Sequence, residues 1–593
     1  MGAAVCVAEP VAGLQDAGQF DVTTGRGGLH YPGRLRVVSS FAVIYWAFGE
    51  RKIHMVGLYI KDKRFWKGAF LVTGAAFIGK VLSALYRVPY QNMAGDQGLY
   101  VYQQVYPIYG AAMVIAMYGF PVVISKMVME KESYDGIKAA KETAFACFFT
   151  LLLIHIILFV LMFFGAEKIA VLMGDHRLHT PLRSISFVLL TIPFFSAIRG
   201  YYQGREQMSP TAASHLIEQT VRVSAILLFT GLVVYAGNGA YEAGNAAASG
   251  SILGSACGVI FLVSVCLYKK NENRQPVHGK TILKQMKMNY SMLSRGVLVS
   301  CGAMIFILYQ LVDAFTVMRL LTTSGIESDT SKNLKGIFDR GQPLLQFGTV
   351  LATSFAMAMV PFLRREELTG DKELSRYYAT LAFRMSLLLG AAAAVGLIII
   401  AEPVNIMLFK NAKGTGVMQI LAGTLAVSGL VMTTSAVMQG HNQFALPAVF
   451  LITGLVTKVT GNLVLVPLFD VKGAAAATVI GMSVTAVCNV NYILHRRYIL
   501  APSFLWLRKA IVSLLGMGTV IVVLKYICAS FFTMNRINAV WSALLMAVIG
   551  AFLFVWLIMK LALFTKEERA IIPGMTKWES LFERKEKKSE NGK

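Results

Sequence analysis

The feature of this sequence that most limits its fold is a long succession of apolar windows, each about 20 residues long. A helix of that length crosses the hydrocarbon core of a bilayer, because it rises about 1.5 Å per residue. The windows recur from Trp66 almost to the C-terminus of the 593-residue chain. Hydrophobic residues make up 56% of the chain and charged residues only 15%, too few for the surface of a water-soluble protein of this size. The sequence therefore predicts an all-α, polytopic membrane protein.

About 14 transmembrane helices are predicted, and we number them as spans 1 to 14. The spans are 66–88, 99–122, 143–164, 181–202, 211–235, 243–268, 297–318, 343–363, 380–400, 417–438, 444–466, 473–494, 511–530 and 541–563.

The basic residues predict which side of the membrane each loop occupies. With the N-terminus inside, the inner segments hold 35 Lys and Arg residues, whereas the alternate loops hold 13. Such an excess is typical of cytoplasmic loops. Both termini are therefore expected in the cytoplasm, and the formal net charge of +24 needs no nucleic-acid partner to explain it.

Two short loops indicate an internal repeat. The stretch QGREQMSP (203–210) is followed 236 positions later by QGHNQFALP (439–447), and the same offset carries Arg222 onto Lys458. Each loop is predicted in the cytoplasm, between spans 4 and 5 or between spans 10 and 11. The chain is thus expected to contain two parallel six-helix repeats plus two C-terminal helices, with a substrate site between the halves near the membrane midplane.

The repeat sets the predicted domain boundaries. Residues 55–268 form the first half and 291–497 the second half, joined by a cytoplasmic linker at 269–290. Residues 498–564 carry spans 13 and 14, and 565–593 form a charged cytoplasmic tail. Residues 1–54 are polar and Gly-rich, and GERKIH before Met55 can be encoded by a purine-rich ribosome-binding sequence. We expect either translation from Met55 or a disordered N-terminal extension.

Several motifs resemble a known family. They are KGAFLVTGAAFIGKVLSALYRVPYQNMAGDQGLYVYQQVYPIYG (67–110), GFPVVISK (119–126), IRGYYQGREQMSP (198–210) and HLIEQTVRV (215–223). They are similar to the polysaccharide-biosynthesis, stage V sporulation protein B-like branch of the multidrug/oligosaccharidyl-lipid/polysaccharide (MOP) exporter superfamily. The resemblance implies a V-shaped, two-lobed bundle that works by alternating access. Relatives include lipid II flippases, in which cavity arginines hold a diphosphate, and Arg87 occupies the place of one such arginine.

Basic residues at membrane depth are the candidate substrate-binding residues. Lys80, Arg222 and Lys458 lie within spans, where a charge costs roughly 2.5–3.5 kcal/mol, and Arg87 lies at the end of span 1. Lys80 and Arg87 are two turns apart, which places them on one helix face. Guanidinium groups suit the diphosphate of a lipid-linked saccharide. Packing against headgroups is the alternative for Arg87, and Arg319 at the outer end of span 7 completes the set.

Acidic residues and one further arginine are the candidate coupling or gating residues. Glu218 precedes Arg222 by four residues, a spacing that predicts an ion pair and a gate opened by competing phosphate. Asp313 is expected either to bind a coupling cation or proton, or to form a salt bridge with Arg87 or Arg222. Arg199 is expected to face the cytoplasm or the headgroups, with gating as the alternative.

The leading functional prediction is a flippase in a bacterial cytoplasmic membrane. Its partners would be membrane lipids, a lipid-linked saccharide substrate and a possible coupling cation or proton. The alternative is a cation-coupled multidrug antiporter, which would need a cavity dominated by carboxylates and aromatic residues. No enzymatic activity, cofactor or metal is predicted, since no extramembrane segment is large enough for a catalytic domain and the histidines lack metal-binding spacing.

Overall fold

A computed structural model describes residues 63–269, 304–346 and 372–571, apart from 444, 532 and 534, together with 294, 296–298 and 300. Within these ranges the regular structure is helical, with no strand. The predictions for residues 1–54, for the 269–290 linker and for most of the charged tail fall outside the described residues, as does most of span 8.

The described helices follow one another in a simple order. They are α1 (Lys63–Leu85), α2 (Arg87–Val114), α3 (Phe120–Leu172), α4 (His179–Ser186), α5 (Ile192–Gly204), α6 (Ser209–Tyr235), α7 (Ala240–Lys269), α8 (Ile305–Thr323), α9 (Ser328–Asp339), α10 (Lys372–Phe409), α11 (Thr415–Gly440), α12 (Ala445–His495), α13 (Phe504–Phe531), α14 (Arg536–Lys560) and α15 (Lys566–Ile571). A π-helical turn, Ile115–Gly119, joins α2 to α3, and short 3₁₀ turns flank α4.

Ten helical runs in these ranges are long and apolar enough to cross a membrane. Some runs hold more than one predicted span, because a break in the backbone separates the spans. Gly95 (φ 71°) and Gly136 (φ 81°) interrupt α2 and α3, and Phe469 and Asp470 interrupt α12. With these breaks, the described residues accommodate the predicted spans other than span 8, most of which lies outside them, and the first part of span 7, of which they cover only 297, 298, 300 and 304 onwards. The all-α, polytopic prediction is confirmed.

The two loops with repeated sequence also have the same backbone geometry. Glu206 and Asn442 occupy equivalent positions and both adopt left-handed conformations, with φ of 60° and 61°. The amide of each donates to the carbonyl three residues earlier, at 3.0 and 3.1 Å. The amides of Gln207 and Gln443 donate to the carbonyl five residues earlier, at 2.8 and 2.9 Å. The two loops therefore end their helices with the same left-handed turn, a common helix C-terminus that also ends other described helices.

Small residues allow α6 and α7 to pack closely. A Cβ added to Gly254 would lie 2.8 Å from the Cα of Arg222, and one added to Gly250 would lie 2.6 Å from the Ile226 amide nitrogen. In the second half, a Cβ on Gly481 would lie 3.1 Å from the Cβ of Lys458. These small residues form packing surfaces, and in each half a glycine lies against the embedded basic residue.

Helices from the two halves meet at one end of the bundle, which the charge pattern predicts to be the outer end. Asp96 of α2 forms an ion pair with Arg340, which follows α9, at 2.6 Å. Asn92 of α2 donates to the carbonyl of Leu408 in α10 at 2.9 Å. The backbone of Gly336 in α9 packs directly against that of Asp96. We call these contacts the outer seam.

Candidate functional site

The first functional side chain is Arg87 at the start of α2, where the backbone continues the helix of the first span through Tyr86 and first breaks at Gly95. Its side chain is fully buried, and the guanidinium carbon lies 4.3 Å from the centroid of the Tyr106 ring. None of its three guanidinium nitrogens has a hydrogen-bond partner among the described residues, and no carboxylate there pairs with it. A buried cation in this condition is costly, and an anionic ligand would remove the cost.

Arg222 of α6 is the second buried guanidinium, with 1% of its surface exposed. Its carbon lies 5.2 Å from the Tyr86 ring centroid and 5.1 Å from that of Tyr109. Nη2 donates to Ser83 Oγ at 3.0 Å and to Gln219 Oε1 at 2.6 Å. Nε and Nη1 have no partner in the described part of the chain. One nitrogen is therefore held, while two remain available to a ligand.

Four tyrosines join the two arginines into one cluster. The ring centroids of Tyr86 and Tyr102 are 6.2 Å apart, those of Tyr102 and Tyr106 are 6.0 Å apart, and those of Tyr106 and Tyr109 are 6.1 Å apart. Together with Arg87 and Arg222 these rings form what we call the arginine–tyrosine cluster. Aromatic faces stabilise guanidinium groups without neutralising them, so the cluster keeps its positive charge. Such a group of donors is suited to an anion.

Glu218 does not pair with Arg222, in contrast to the prediction from their i, i+4 spacing. Its Oε2 faces Arg199 Nη2 at 3.6 Å and His215 Nδ1 at 3.5 Å, while its Oε1 accepts from the Tyr109 hydroxyl at 2.8 Å. The i, i+4 spacing places Glu218 and Arg222 on one face, but the rotation of α6 against α5 and α2 brings other partners closer. The predicted ion pair of Glu218 with Arg222 is therefore wrong, and a gating role for these residues stays a prediction.

Arg199 is fully buried in α5, so the expectation that it faces the cytoplasm or the headgroups is wrong. Besides pairing with Glu218, its Nε donates to Ser214 Oγ at 3.0 Å, and its guanidinium lies 4.1 Å from the Phe195 ring centroid. The buried carboxylate compensates for the buried charge. A sequence pattern cannot reveal that compensation, because the two residues lie on different helices.

Lys458 and Asp313 form an ion pair within the second half. Lys458 Nζ lies 2.7 Å from Asp313 Oδ1 and donates to Thr478 Oγ1 at 2.5 Å, while Asn462 Nδ2 donates to Asp313 Oδ1 at 3.2 Å. Both charged side chains are buried. The predicted bridge at Asp313 exists, but its partner is neither Arg87 nor Arg222. Lys458, a candidate substrate contact, already has a counter-ion.

Lys80 and Arg319 lie apart from the arginine–tyrosine cluster. Both side chains are exposed, whereas Arg87 is buried. The backbone remains helical through Tyr86, whose amide donates to the Leu82 carbonyl at 3.2 Å, so the common helix face of Lys80 and Arg87 stays a prediction. Arg319 lies near the end of α8, with its backbone packed against Gly174.

Two buried ion pairs at the outer seam were not singled out from the sequence. Arg340 donates from Nε and Nη2 to the two carboxylate oxygens of Asp96, at 2.7 and 2.6 Å. Lys335 Nζ lies 2.7 Å from Asp339 Oδ1 within α9. The spacing of Lys335 and Asp339 at i, i+4 was a local signal for the second pair. The first pair joins residues 244 positions apart, and no sequence signal identifies it.

The available ligand sets do not indicate a metal centre. Among the described residues, no group of three or more His, Cys, Asp or Glu side chains is arranged to hold a metal ion. The two arginines and the tyrosines of the cluster supply hydrogen-bond donors rather than metal ligands. The chemistry of the candidate site is therefore that of anion binding.

Comparison with protein families and curated sequences places this geometry in context. A family model described as "Polysaccharide biosynthesis protein" matches residues 65–367. The chain is 34% identical to "Uncharacterized membrane protein YabM" of Bacillus subtilis (strain 168), over 89% of this chain and 98% of that one. The chain belongs to the polysaccharide biosynthesis protein family. Two further B. subtilis relatives are less similar. "Lipid II flippase MurJ" is 25% identical, over 70% of this chain and 80% of that one. "Stage V sporulation protein B" is 24% identical, over 70% of this chain and 81% of that one.

Solved structures match the fold of this family member. A structure titled "Lipid II flippase MurJ, inward closed conformation" aligns with a TM-score of 0.61 and 14% identity, covering 82% of this chain and 98% of that one. A structure of an inward-facing multidrug resistance MATE family transporter of the MOP superfamily aligns with a TM-score of 0.58 and 15% identity, covering 71% of this chain and 94% of that one. The predicted family resemblance and the MATE-like fold of a multi-pass membrane protein are confirmed.

Proposed function

We propose that this protein is a flippase that moves a polyprenyl-diphosphate-linked saccharide across the bacterial cytoplasmic membrane by alternating access. The observation that carries the proposal is the arginine–tyrosine cluster, where Arg87 and Arg222 are buried and have no carboxylate partner among the described residues. A diphosphate would supply the missing negative charge, and guanidinium groups offer it bidentate hydrogen bonds. The relative named as a lipid II flippase supports this class of substrate.

The distribution of the acidic side chains favours an anionic cargo over a cationic one. Asp313 is paired with Lys458, and Glu218 with Arg199. Neither carboxylate is therefore a ready site for a cationic drug, and the uncompensated charge of the cluster is positive. The alternative, a cation-coupled multidrug antiporter, rests on the shared fold, which hosts more than one function.

In an alternating-access cycle, the outer seam would have to open and close. With the N-terminus in the cytoplasm, the ion pair of Asp96 and Arg340 closes the outer end between the two halves. Release of the substrate outside would require this pair to separate. An outward-moving diphosphate that carries two negative charges across the whole potential would gain roughly 4.6 kcal/mol per 100 mV. Arginines that move with the diphosphate would reduce this gain.

Reversal of one charge in the cluster tests the proposal. Arg87→Glu replaces attraction by repulsion, and two unit charges 4 Å apart interact by about 4 kcal/mol at an effective dielectric of 20. We expect the variant to abolish flipping of a labelled lipid-linked saccharide in reconstituted vesicles. Arg87→Lys should retain part of the activity, because it keeps the charge but loses the planar fork.

The matched control is Arg183→Glu, a charge reversal at an exposed position of α4. It should insert, fold and transport as the wild type does. If Arg87→Glu flips the lipid-linked saccharide at the wild-type rate, the assignment of the diphosphate site is wrong. If the wild type moves no lipid-linked saccharide but exports cationic drugs, the antiporter alternative replaces the proposal.

A further inference from the structure

Glu218 reaches Arg222 only through two intermediate side chains. Its Oε1 accepts hydrogen bonds from the Tyr109 hydroxyl at 2.8 Å and from Gln219 Nε2 at 3.0 Å. Gln219 in turn accepts from Arg222 Nη2 at 2.6 Å, and the Tyr109 ring centroid lies 5.1 Å from the Arg222 guanidinium carbon. The two residues that donate hydrogen bonds to Glu218 Oε1 are therefore also in contact with Arg222.

The carboxylate of Glu218 determines which way the Gln219 amide is turned. An amide has a donating and an accepting end, whereas an ionised carboxylate only accepts. Gln219 must therefore direct its Nε2 towards Glu218, which leaves its Oε1 to accept from Arg222. The opposite orientation would place two donors against the guanidinium and an oxygen against the carboxylate. Both mismatches are costly in a buried site.

A buried guanidinium on the other side of Glu218 favours its ionised form. Arg199 of α5 lies 3.6 Å from Oε2, and His215 of α6 lies 3.5 Å from it. Arg199 is itself held by Ser214, at 3.0 Å. This arrangement makes Glu218 the central acceptor of a buried network that extends from α5 to the arginine–tyrosine cluster.

This network ends at the guanidinium group of Arg222. Its Nη2 is held by Gln219 and Ser83, whereas its Nε and Nη1 have no partner among the described residues. We propose that Glu218 is a positioning residue for substrate recognition, which acts through Gln219 and Tyr109 to fix the Arg222 guanidinium with two donors available to the diphosphate. This inference rests on the proposed function and adds a role for a residue that would not itself contact the substrate.

Glu218→Gln tests the inference because it keeps the size of the side chain and removes its charge. An amide at this position accepts or donates, so the orientation of Gln219 is no longer determined. We expect the KM for the lipid-linked saccharide to rise about tenfold in reconstituted vesicles, with the maximal rate changed less than about twofold. The Kd of inorganic pyrophosphate for the purified protein, measured by calorimetry, should rise in parallel.

A double-mutant comparison separates positioning from a general loss of structure. In an Arg222→Lys background the planar fork is absent, and adding Glu218→Gln should then leave the KM and the pyrophosphate Kd unchanged within about twofold. If Glu218→Gln raises both constants equally in the two backgrounds, its effect does not pass through Arg222 and the inference is wrong.

The inference and the proposed function fail in different ways. Wild-type flipping with an unaltered KM in Glu218→Gln overturns the positioning role and leaves the flippase proposal standing. A wild type that binds pyrophosphate but flips no lipid-linked saccharide contradicts the flippase proposal, and the Kd comparison still decides the role of Glu218. A wild type that binds no pyrophosphate overturns the inference, since the available donors of Arg222 then recognise no diphosphate.

Discussion

The ion pair at the outer seam offers a direct test of alternating access. Asp96→Asn keeps the shape of the side chain and removes the charge that Arg340 contacts through two nitrogens, at 2.7 and 2.6 Å. Because these residues belong to different halves, the substitution weakens the closed outer end, while the carboxamide oxygen of an asparagine can still accept the hydrogen bond that Gln91 Nε2 donates to Asp96 within the first half, at 2.9 Å. We expect the population of molecules with an open outer end to increase.

The size of the effect follows from the burial of the pair. The Arg340 side chain is 2% exposed and that of Asp96 is 15% exposed. Removing one partner of a buried pair costs about 3–5 kcal/mol, because the remaining charge is left without compensation. Taking about 3 kcal/mol, and about 1.4 kcal/mol per tenfold change, the ratio of closed to open molecules should fall roughly a hundredfold.

Distances between spin labels on the two halves can measure this ratio. Glu242 and Thr330 are exposed positions near the predicted outer end, one in each half. Labels on cysteines introduced there, in a protein without its native cysteines and reconstituted in nanodiscs, should report longer distances for Asp96→Asn. The control is Asp135→Asn, which removes the same charge from an exposed ion pair with Lys131 in α3. It should leave the distribution unchanged.

Two results would refute this reasoning. An unaltered distance distribution in a folded Asp96→Asn protein would mean that the ion pair does not hold the outer end closed. Arg340→Gln removes the other partner and should give the same shift. If the double variant opens the seam by the sum of the two single effects, the two residues act independently rather than as one pair.

Three further predictions concern stability. Lys458→Met leaves Asp313 as a buried charge without its partner and should lower the free energy of unfolding by about 3–5 kcal/mol in thermal unfolding, whereas adding Asp313→Leu should recover most of the loss. Gly254→Val places side-chain atoms against the Arg222 backbone and should lower the free energy of unfolding by about 1–3 kcal/mol in the same assay. An unchanged unfolding midpoint would contradict the close packing. Burial raises the pKa of Asp339 from its ordinary 3.8 to about 6. The folded protein therefore binds this proton more tightly, and the contribution to stability, about 3 kcal/mol, is present below about pH 4 and lost as the pH rises through about 6. Asp339→Asn should remove this dependence from unfolding midpoints measured between pH 4 and 7, and an unaltered slope would show that another group titrates.

The sequence alone was sufficient for the features that depend on local pattern. Apolar windows of bilayer length predicted the helices, because buried backbone groups in a membrane must be satisfied within each segment. The repeated loops at 203–210 and 439–447 predicted a duplicated element, and Glu206 and Asn442 turn the chain in the same way. The sidedness of the loops and the domain boundaries remain predictions.

Only the tertiary structure decided how the buried charges are paired. Spacing along a helix identifies neighbours on one face, which is why the sequence favoured Glu218 with Arg222. The partner of Glu218 is instead Arg199 on another helix, and Asp96 meets Arg340 from the other half of the chain. These choices depend on the rotation and depth at which helices pack. Arg87 illustrates the physical reason best. Its burial could be anticipated, but only the packing of the described helices shows that none of them supplies it with a counter-ion.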